Sequence, residues 1–284
     1  MPNQPVTYDP KPFSERAFEF VRQFLVTMVL HRRAWEFIQK YQPWQGLNRY
    51  GWIAKVIIGI AVIIGLQLFW SLYQTVAEAV NNPQAFGASV ASVFTDFSFE
   101  KINWMLQGGR KYLVLILMEI VTFHFMQRTL EIQVGRKPDY SFNAFIRAEK
   151  RMIVVSLMTW VMETIVRGLA DIPLGILGLS WLKQPVGLVI QFFFLGFTLI
   201  DTYHECFELK VEESRKRTWQ VAGVAVAIGL VAYVLMFIPV AGVLAATMLG
   251  GVAAAMAMER FAPVTEEEVA AYKLASVAKK SKKV

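Results

Sequence analysis

Positive charge is distributed unevenly along this chain, and long apolar stretches separate its basic segments. Of 29 lysines and arginines, all but five lie in four blocks. Basic loops stay on the cytoplasmic side of a membrane, because anionic lipid and the membrane potential hold them there. Four blocks on one face require three excursions into the bilayer, which predicts a multi-pass membrane protein with both termini cytoplasmic. The blocks are residues 1–55, 126–151, 201–219 and 259–284.

The composition agrees with a membrane location. The chain is 55% hydrophobic with a mean hydropathy of +0.42, which is too apolar for an ordinary soluble domain of this size. Its net charge of +7 flanks apolar spans instead of forming one dense patch, so we expect no nucleic-acid partner. A single cysteine, Cys206, excludes a disulfide framework or a cysteine zinc site within one chain. The first 11 residues lack the basic-then-apolar start of a cleavable signal peptide.

Three segments follow from these patterns. Residues 1–50 form an amino-terminal arm and an amphipathic interfacial helix, which starts near Ser14 and repeats apolar residues every three to four positions. This helix lies on the membrane surface or packs under the bundle. Residues 51–262 form a single helical membrane domain that contacts the lipid bilayer, and residues 263–284 form a charged, solvated cytoplasmic tail.

Within the membrane domain we expect an all-α fold with two long spanning helices and two helical hairpins, since about 20 apolar residues cross the hydrocarbon as a helix. Asp171, Pro173, Gly178 and Pro185 interrupt the first hairpin, so its limbs need not cross the bilayer fully. The second hairpin turns tightly at Ile238-Pro239. The predicted spans are about 52–73, 112–130, 152–169, 186–200, 221–237 and 240–258.

Four stretches resemble a known family. They are "LEIQVGRKP" at 130–138, "RAEKR" at 147–151, "FFFLGFTLIDTYHE" with the following "EESRKR", and "FIPVAGVLAATMLGGVAAAM". The chain is thereby similar to the CysZ-like sulfate permease family, which also includes the etoposide-induced 2.4 membrane proteins. The chain departs from the family pattern in having no proline after Asp201 or Tyr203-His204, and no second proline after the Ile-Pro turn. The matching motif residues are Glu131, Gly135, Pro138, Asp201 and Pro239.

This resemblance implies a bacterial inner-membrane protein with two long spanning helices and two pairs of tilted, partly penetrating hairpins. It also implies a homo-oligomer and, for bacterial members, sulfate entry without ATP. Other members have no clear transport role, so activity does not follow from membership.

Charged residues inside apolar spans are the strongest functional candidates, because each is costly at the bilayer centre. Glu119 and His124 lie in the second span, and Glu163 and Arg167 stand four apart on the third. Two interpretations stay open. These residues line a wet path on which Arg167 meets an anion, or Glu163 and Arg167 form a structural pair while Glu119 bonds a neighbouring helix. A carboxylate repels sulfate, so Glu119 fits better as a proton site or as the partner of a base.

Two further basic groups could meet an anion. Arg110 and Lys111 open the second span, where free N–H groups at a helix start favour negative charge; ordinary snorkelling is the alternative. Arg147, Lys150 and Arg151 could form an inner exit for anions, with contact to lipid head groups as the alternative. We expect Glu131 to hold those bases by charge pairing.

No catalytic constellation, cofactor motif or credible metal-ligand cluster is present in the sequence, so we expect a protein that is not an enzyme. The leading hypothesis is a membrane permease or channel for a small inorganic oxyanion, sulfate first, passive or proton-linked. The alternative is a non-transporting scaffold or accessory subunit of a larger membrane complex. In that case the stripe of Gly242, Ala246, Gly250 and Ala254 serves as a docking surface for other membrane subunits.

Overall fold

The computed structural model describes residues 12–45, 59, 110–139, 141–238, 241–265 and 267–271. These residues are helical with no strand among them, which confirms the all-α class. The predicted span 52–73 and Pro239 lie outside the described residues. The helices are α1 (Phe13–Tyr41), α2 (Arg110–Val134), α3 (Phe142–Ile176), α4 (Lys183–Cys206), α5 (Val211–Gln220), α6 (Ala222–Leu235) and α7 (Ala241–Phe261). A 3-10 turn, Ser180–Leu182, precedes α4.

Within the described ranges, three segments are long and apolar enough to cross a membrane, namely Ile146–Ile176, Ser180–Cys206 and Gly242–Phe261. Helices α5 and α6 meet at a bend of 95° and would count as a fourth span if taken together. Both limbs of the first predicted hairpin therefore have enough length to cross the bilayer.

The hairpin formed by α3 and α4 corrects three predicted boundaries. Helix α3 begins at Phe142, where the Ser141 hydroxyl accepts a hydrogen bond from the Ala144 amide, and it continues without a break to Ile176. Pro173 lies inside this helix, three residues before its end, and its missing N–H removes the hydrogen bond that would otherwise reach the carbonyl oxygen of Leu169. The chain reverses at Gly178, whose φ of 71° suits glycine. Pro185 lies in the first turn of α4, where its missing N–H would have had no intrahelical partner.

Helix α4 is the central helix, and it crosses α6 with the two backbones in contact. A Cβ atom on Gly196 would lie 1.9 Å from the carbonyl oxygen of Ala225. One on Gly229 would lie 1.7 Å from the carbonyl oxygen of Phe192. Only glycine permits this approach, so these two residues determine how closely α4 and α6 pack.

The small-residue stripe of α7 packs inside the chain. Ala246 and Ala254 are buried, Gly250 faces Leu199 of α4, and Gly242 lies against the end of α6. The interpretation of this stripe as a docking surface is therefore wrong, since helices of the same chain already cover it.

Helix α1 begins at Phe13, one residue before the predicted Ser14, and packs on α6 and α7. Its inward face carries polar residues: the Gln23 side-chain amide donates to the carbonyl oxygen of Gln220 at 3.2 Å and accepts from the Gly223 amide at 3.2 Å. His31 also faces inward, and burial lowers its pKa. An apolar stripe remains exposed on the opposite face, formed by Phe18, Val21, Leu25 and Val29.

Candidate functional site

Residues from each of the four basic blocks contact one another at one end of the bundle. The Arg22 guanidinium of α1 lies 5.6 Å from the ring centre of Phe261, and Arg217 of α5 pairs with Glu268 at 2.6 Å. The Tyr203 hydroxyl donates to Glu259 at 2.6 Å. We call this region the basic end; it comprises residues 126–151, 201–220 and 259–268 with the start of α1.

The start of the predicted tail is part of this packing. The Val264 side chain is buried, and its amide donates to the Tyr203 hydroxyl at 3.2 Å. Together with the Arg217–Glu268 pair, this contact holds the first residues after α7 against the bundle. The prediction of a wholly solvated tail is therefore wrong for these residues.

Arg151 of α3 is the most deeply embedded cation of the basic end. Its guanidinium makes two hydrogen bonds to Asp201, at 2.8 and 2.9 Å, and pairs with Glu205 at 2.9 Å. It also donates to the carbonyl oxygen of Leu209. The side chains of Arg151 and Asp201 are only 11% and 4% exposed, so these charges are compensated away from water. Arg151 therefore binds α3 to α4 and has little capacity left for an anion.

Glu119 of α2 lies close to this group. It is 2% exposed, and its carboxyl oxygens lie 3.4 and 3.5 Å from the Thr202 hydroxyl of α4. Glu149, Asp201 and Glu205 all contribute negative charge at Glu119. Asp201 and Glu205 are already paired with Arg151, so Glu119 lies beside a group of carboxylates that has one compensating cation.

A cavity of about 140 Å³ opens beside this buried group. It lies between the end of α2, the loop that follows it, the start of α3 and the end of α4. Glu205 contributes to its wall, so the cavity adjoins the Arg151 network. The charged residues of the wall are three cations, Arg136, Lys137 and Arg147, and three carboxylates, Asp139, Glu205 and Glu208.

The loop after α2 places two of these cations. Gly135 ends the helix with a φ of 73°, a value that favours glycine. The Arg136 guanidinium then stacks 4.2 Å from the centre of the Phe207 ring and donates to the carbonyl oxygen of Cys206 at 2.7 Å. Lys137 and Pro138 complete this side of the cavity wall.

Other charged side chains of the same region form ion pairs or hydrogen bonds with neighbouring residues. Glu131 pairs with Arg128, one turn away on α2, so the prediction that it holds Arg147 and Arg151 is wrong. Arg147 lies 3.6 Å from Asp139 and 3.3 Å from Glu208. Hydrogen bonds from Ser141 lower the pKa of Asp139, which keeps this exposed carboxylate charged to a lower pH than usual.

Gln127 is the buried amide of the cavity wall. Its side chain is 6% exposed, and its Nε2 donates to the carbonyl oxygen of Asp139 at 3.3 Å. Its Oε1 is buried and has no hydrogen-bond partner among the described residues. Because the amide nitrogen must face the carbonyl, the unpartnered atom is the oxygen.

The remaining predicted residues lie elsewhere. The Arg167 side chain lies beside Gly187 of α4. The Tyr233 hydroxyl of α6 interacts electrostatically with both Glu163 and Arg167. Glu163 is 12 residues beyond Arg151 on α3, which is roughly 18 Å along the helix. His124 bonds the carbonyl oxygen of Pro43 through Nε2 at 2.9 Å. The structure therefore does not bring Glu119, His124, Glu163 and Arg167 into one cluster.

Arg110 and Lys111 open α2, as predicted from the sequence, but their side chains lie outside the described part of the chain. The sequence reasoning missed Gln127, Arg136, Lys137 and Glu205 as members of one site. The signal was present for two pairs. Arg136 and Lys137 stand between Gly135 and Pro138 of the family-like segment, and Glu205 follows Asp201 by one helical turn.

Among the described residues, no group of three or more histidine, cysteine, aspartate or glutamate side chains could hold a metal ion. No family model, curated protein or solved structure matches this chain. Its helices are those of a multi-pass helical membrane protein, and the resemblance to the CysZ-like family stays a prediction from the sequence.

Proposed function

We propose that this chain is a permease or channel that lets a small inorganic oxyanion cross a bacterial inner membrane, passively or linked to protons. Sulfate is the first ion to test, because the sequence resemblance implies it. The observation that carries the proposal is the cavity at the basic end, which places Arg136, Lys137 and Arg147 around one space of about 140 Å³. A water molecule needs only about 10–15 Å³ of such volume, so a small anion with part of its hydration fits there.

The chemistry of the wall supports an anion. Lys137 has no ion-pair partner among the described residues, so its ammonium group is available to a ligand. Arg136 makes one hydrogen bond to a carbonyl oxygen and keeps other N–H donors. Donors of this kind can replace the water that an oxyanion loses when it enters a protein site.

The proposed path starts from the orientation that the basic blocks imply. The basic end faces the cytoplasm, where anionic lipid favours positive charge. Arg110 and Lys111 stand at the opposite entrance, and Arg167 lies between the two ends along α3. In this proposal the protein works as a homo-oligomer in the lipid bilayer.

Labelled-sulfate uptake into liposomes that contain the purified protein tests the proposal. We expect saturable uptake above that of empty vesicles, reduced at least about tenfold in Lys137→Gln and in Arg167→Ala. Arg33→Gln is the matched control, because Arg33 is exposed on α1 and away from the cavity. Folded protein that passes neither sulfate nor phosphate would refute the proposal. Sulfate uptake that is unchanged in both Lys137→Gln and Arg167→Ala would refute the proposed path past these two residues.

The second candidate is a scaffold or accessory subunit, favoured by the wide apolar face of α3 that the described residues leave uncovered. Leu157, Leu169 and Ile176 are 58%, 63% and 81% exposed along this helix. Lipid covers such a face in a permease, whereas helices of a partner cover it in an accessory subunit. Stable co-purification with unrelated membrane subunits, without uptake, supports the scaffold.

A further inference from the structure

Glu208, at the end of α4, has a backbone conformation that glutamate seldom adopts. Its φ is 57°, which lies in the left-handed region that favours glycine. The Glu208 amide donates to the carbonyl oxygen of Glu205 at 2.8 Å. The Leu209 amide donates to the carbonyl oxygen of His204 at 3.2 Å, which completes a Schellman motif. Glycine is the usual residue at this position of the motif, so a glutamate here has a conformational cost.

The contacts on either side of Glu208 fix this backbone conformation. The Leu209 side chain is buried, and its carbonyl oxygen accepts a hydrogen bond from Arg151. Any residue at position 208 must therefore turn the chain in the same way. The Glu208 side chain is 48% exposed and lines the cavity of the basic end, so burial in the core does not explain the glutamate.

The Glu208 carboxylate lies against a cation of the cavity wall. It is 3.3 Å from the Arg147 guanidinium, and Asp139 lies 3.6 Å from the same group. Asp139 also accepts a hydrogen bond from the Ser141 amide at 2.9 Å, which gives this carboxylate a structural role at the start of α3. The Arg147 and Glu208 side chains are 53% and 48% exposed, and an ion pair this exposed contributes little to stability. Stability therefore does not account for a glutamate in this conformation.

We propose that Glu208 is a competing carboxylate that regulates the affinity of the cavity for its anion. The Glu208 carboxylate occupies the Arg147 guanidinium, and an entering oxyanion takes its place there, beside Arg136 and Lys137. This inference rests on the proposed function and names a residue that controls the same site. Competition weakens the binding of the anion, and a weaker site releases its ion faster, which passage through a membrane requires.

Equilibrium binding of labelled sulfate to the full-length protein in phosphatidylcholine nanodiscs at pH 7 tests the inference. Glu208→Gln removes the charge and keeps the size of the side chain, so we expect it to bind sulfate about three- to fivefold more tightly. Glu212→Gln is the matched control, because Glu212 is exposed on α5, does not line the cavity and changes the net charge equally. Equal sulfate affinities of these two variants would overturn the inference.

The same substitution in an Arg147→Gln background identifies the group for which Glu208 competes. Without the guanidinium there is nothing to compete for, so we expect Glu208→Gln to change sulfate affinity by less than about 1.5-fold in that background. An equal gain in both backgrounds would mean that Glu208 acts through the general field of the cavity. That result contradicts competition for Arg147.

Glu208→Gly separates the charge from the backbone. Glycine suits the left-handed conformation, so this variant should unfold in detergent at a temperature no lower than that of the wild type. It should also bind sulfate as tightly as Glu208→Gln does. A lower unfolding temperature with unchanged sulfate affinity would show that Glu208 serves the fold, which overturns the inference. If Glu208→Gln does not fold, the sulfate affinity of Glu208→Gly decides.

The outcomes distinguish this inference from the proposed function. Wild-type protein that binds and takes up sulfate, with no gain in affinity in either Glu208 variant, overturns the competition alone. If neither the wild type nor the variants bind or take up sulfate, the proposed function fails and the inference fails with it.

Discussion

Helices α3 and α4 are two limbs of one hairpin with nearly the same mean hydropathy, yet their surroundings differ. In the most apolar stretch of each segment, 28% of the residues of α3 are buried inside the chain, against 72% for α4. Hydropathy identifies both limbs as membrane-compatible but does not say which is central. The central limb is distinguished by small and polar residues at its contacts, such as Gly196, Thr198 and Asp201.

The two limbs also differ in the contacts that hold them in the bundle. Helix α4 contacts α6 through backbone between Phe192 and Gly196, whereas α3 is joined to α4 by the Arg151 network near its start. Beyond that point the outer face of α3 is apolar and uncovered by the described chain. Contacts within lipid therefore come from close packing on one limb and from charge pairing on the other.

The largest loss of stability is expected from disrupting the Arg151 network, which joins α3 to α4. Arg151→Gln leaves Asp201 and Glu205 buried without their cation, which should lower the free energy of unfolding by about 3–5 kcal/mol. Thermal unfolding in detergent measures this change. Adding Asp201→Asn should recover part of the loss, while Arg33→Gln on α1 should change stability by less than about 0.5 kcal/mol. Wild-type stability in Arg151→Gln would mean that the network does not hold the hairpin.

The second-largest effect is expected from a glycine-to-alanine substitution, which should act in opposite directions on the two limbs. Gly196→Ala in α4 places a methyl group on the Ala225 carbonyl oxygen and should cost about 1–3 kcal/mol, because backbone must move. Gly168→Ala in α3 meets nothing within 4 Å and should stabilise the helix by about 0.5–1 kcal/mol. The melting temperatures of the two variants should shift in opposite directions. Shifts in the same direction would contradict the difference in packing between α3 and α4.

The same leucine substitution tests the contrast without glycine. Leu195 of α4 is fully buried, so Leu195→Ala should leave a cavity and cost about 2 kcal/mol or more. Leu157 of α3 is 58% exposed, and lipid can fill the space left by Leu157→Ala. We expect the second variant to stay within about 0.5 kcal/mol of the unmodified protein. Comparable losses would show that a partner covers α3.

The smallest effect concerns pH at the open end of the hairpin. The pKa of Asp139 is lowered in the folded chain, chiefly by the Ser141 hydroxyl. The charged carboxylate therefore stabilises the folded chain fully above the unfolded pKa of about 3.9, and this stabilisation is lost as the pH falls through the lower folded pKa. Between pH 6 and pH 3, wild-type protein should lose slightly more stability than Asp139→Asn. Glu212→Gln, an exposed change on α5, is the control and should follow the wild type.

The helical class was predictable because apolar runs of membrane length and basic flanks have a direct physical meaning. The course of α3 through Pro173 was not, since a proline removes a helical hydrogen bond and usually kinks or ends the helix. Local sequence does not reveal that this helix continues for three more residues. The inward polar face of α1 could not be predicted for a related reason. Gln23 finds its hydrogen-bond partners at the junction of α5 and α6, which is distant in the sequence.

The candidate site shows the same limit. Arg147, Arg151 and Asp201 were identified as important from motifs, and they do lie in one region. Their roles depend on distances between helices, which sequence spacing does not contain. Arg151 and Arg147 look alike in the sequence, but the first is enclosed by two carboxylates and the second lines a cavity.

The Arg151 network has a consequence for how the chain is made. Its partners Asp201 and Glu205, and the Leu209 carbonyl, all belong to the helix that directly follows α3 and its end. At about 5–20 residues per second, the ribosome completes this stretch roughly 3–12 s after Arg151. The counter-charges of Arg151 are therefore synthesised before α6 and α7, so the hairpin of α3 and α4 carries the partners of its buried cation within itself.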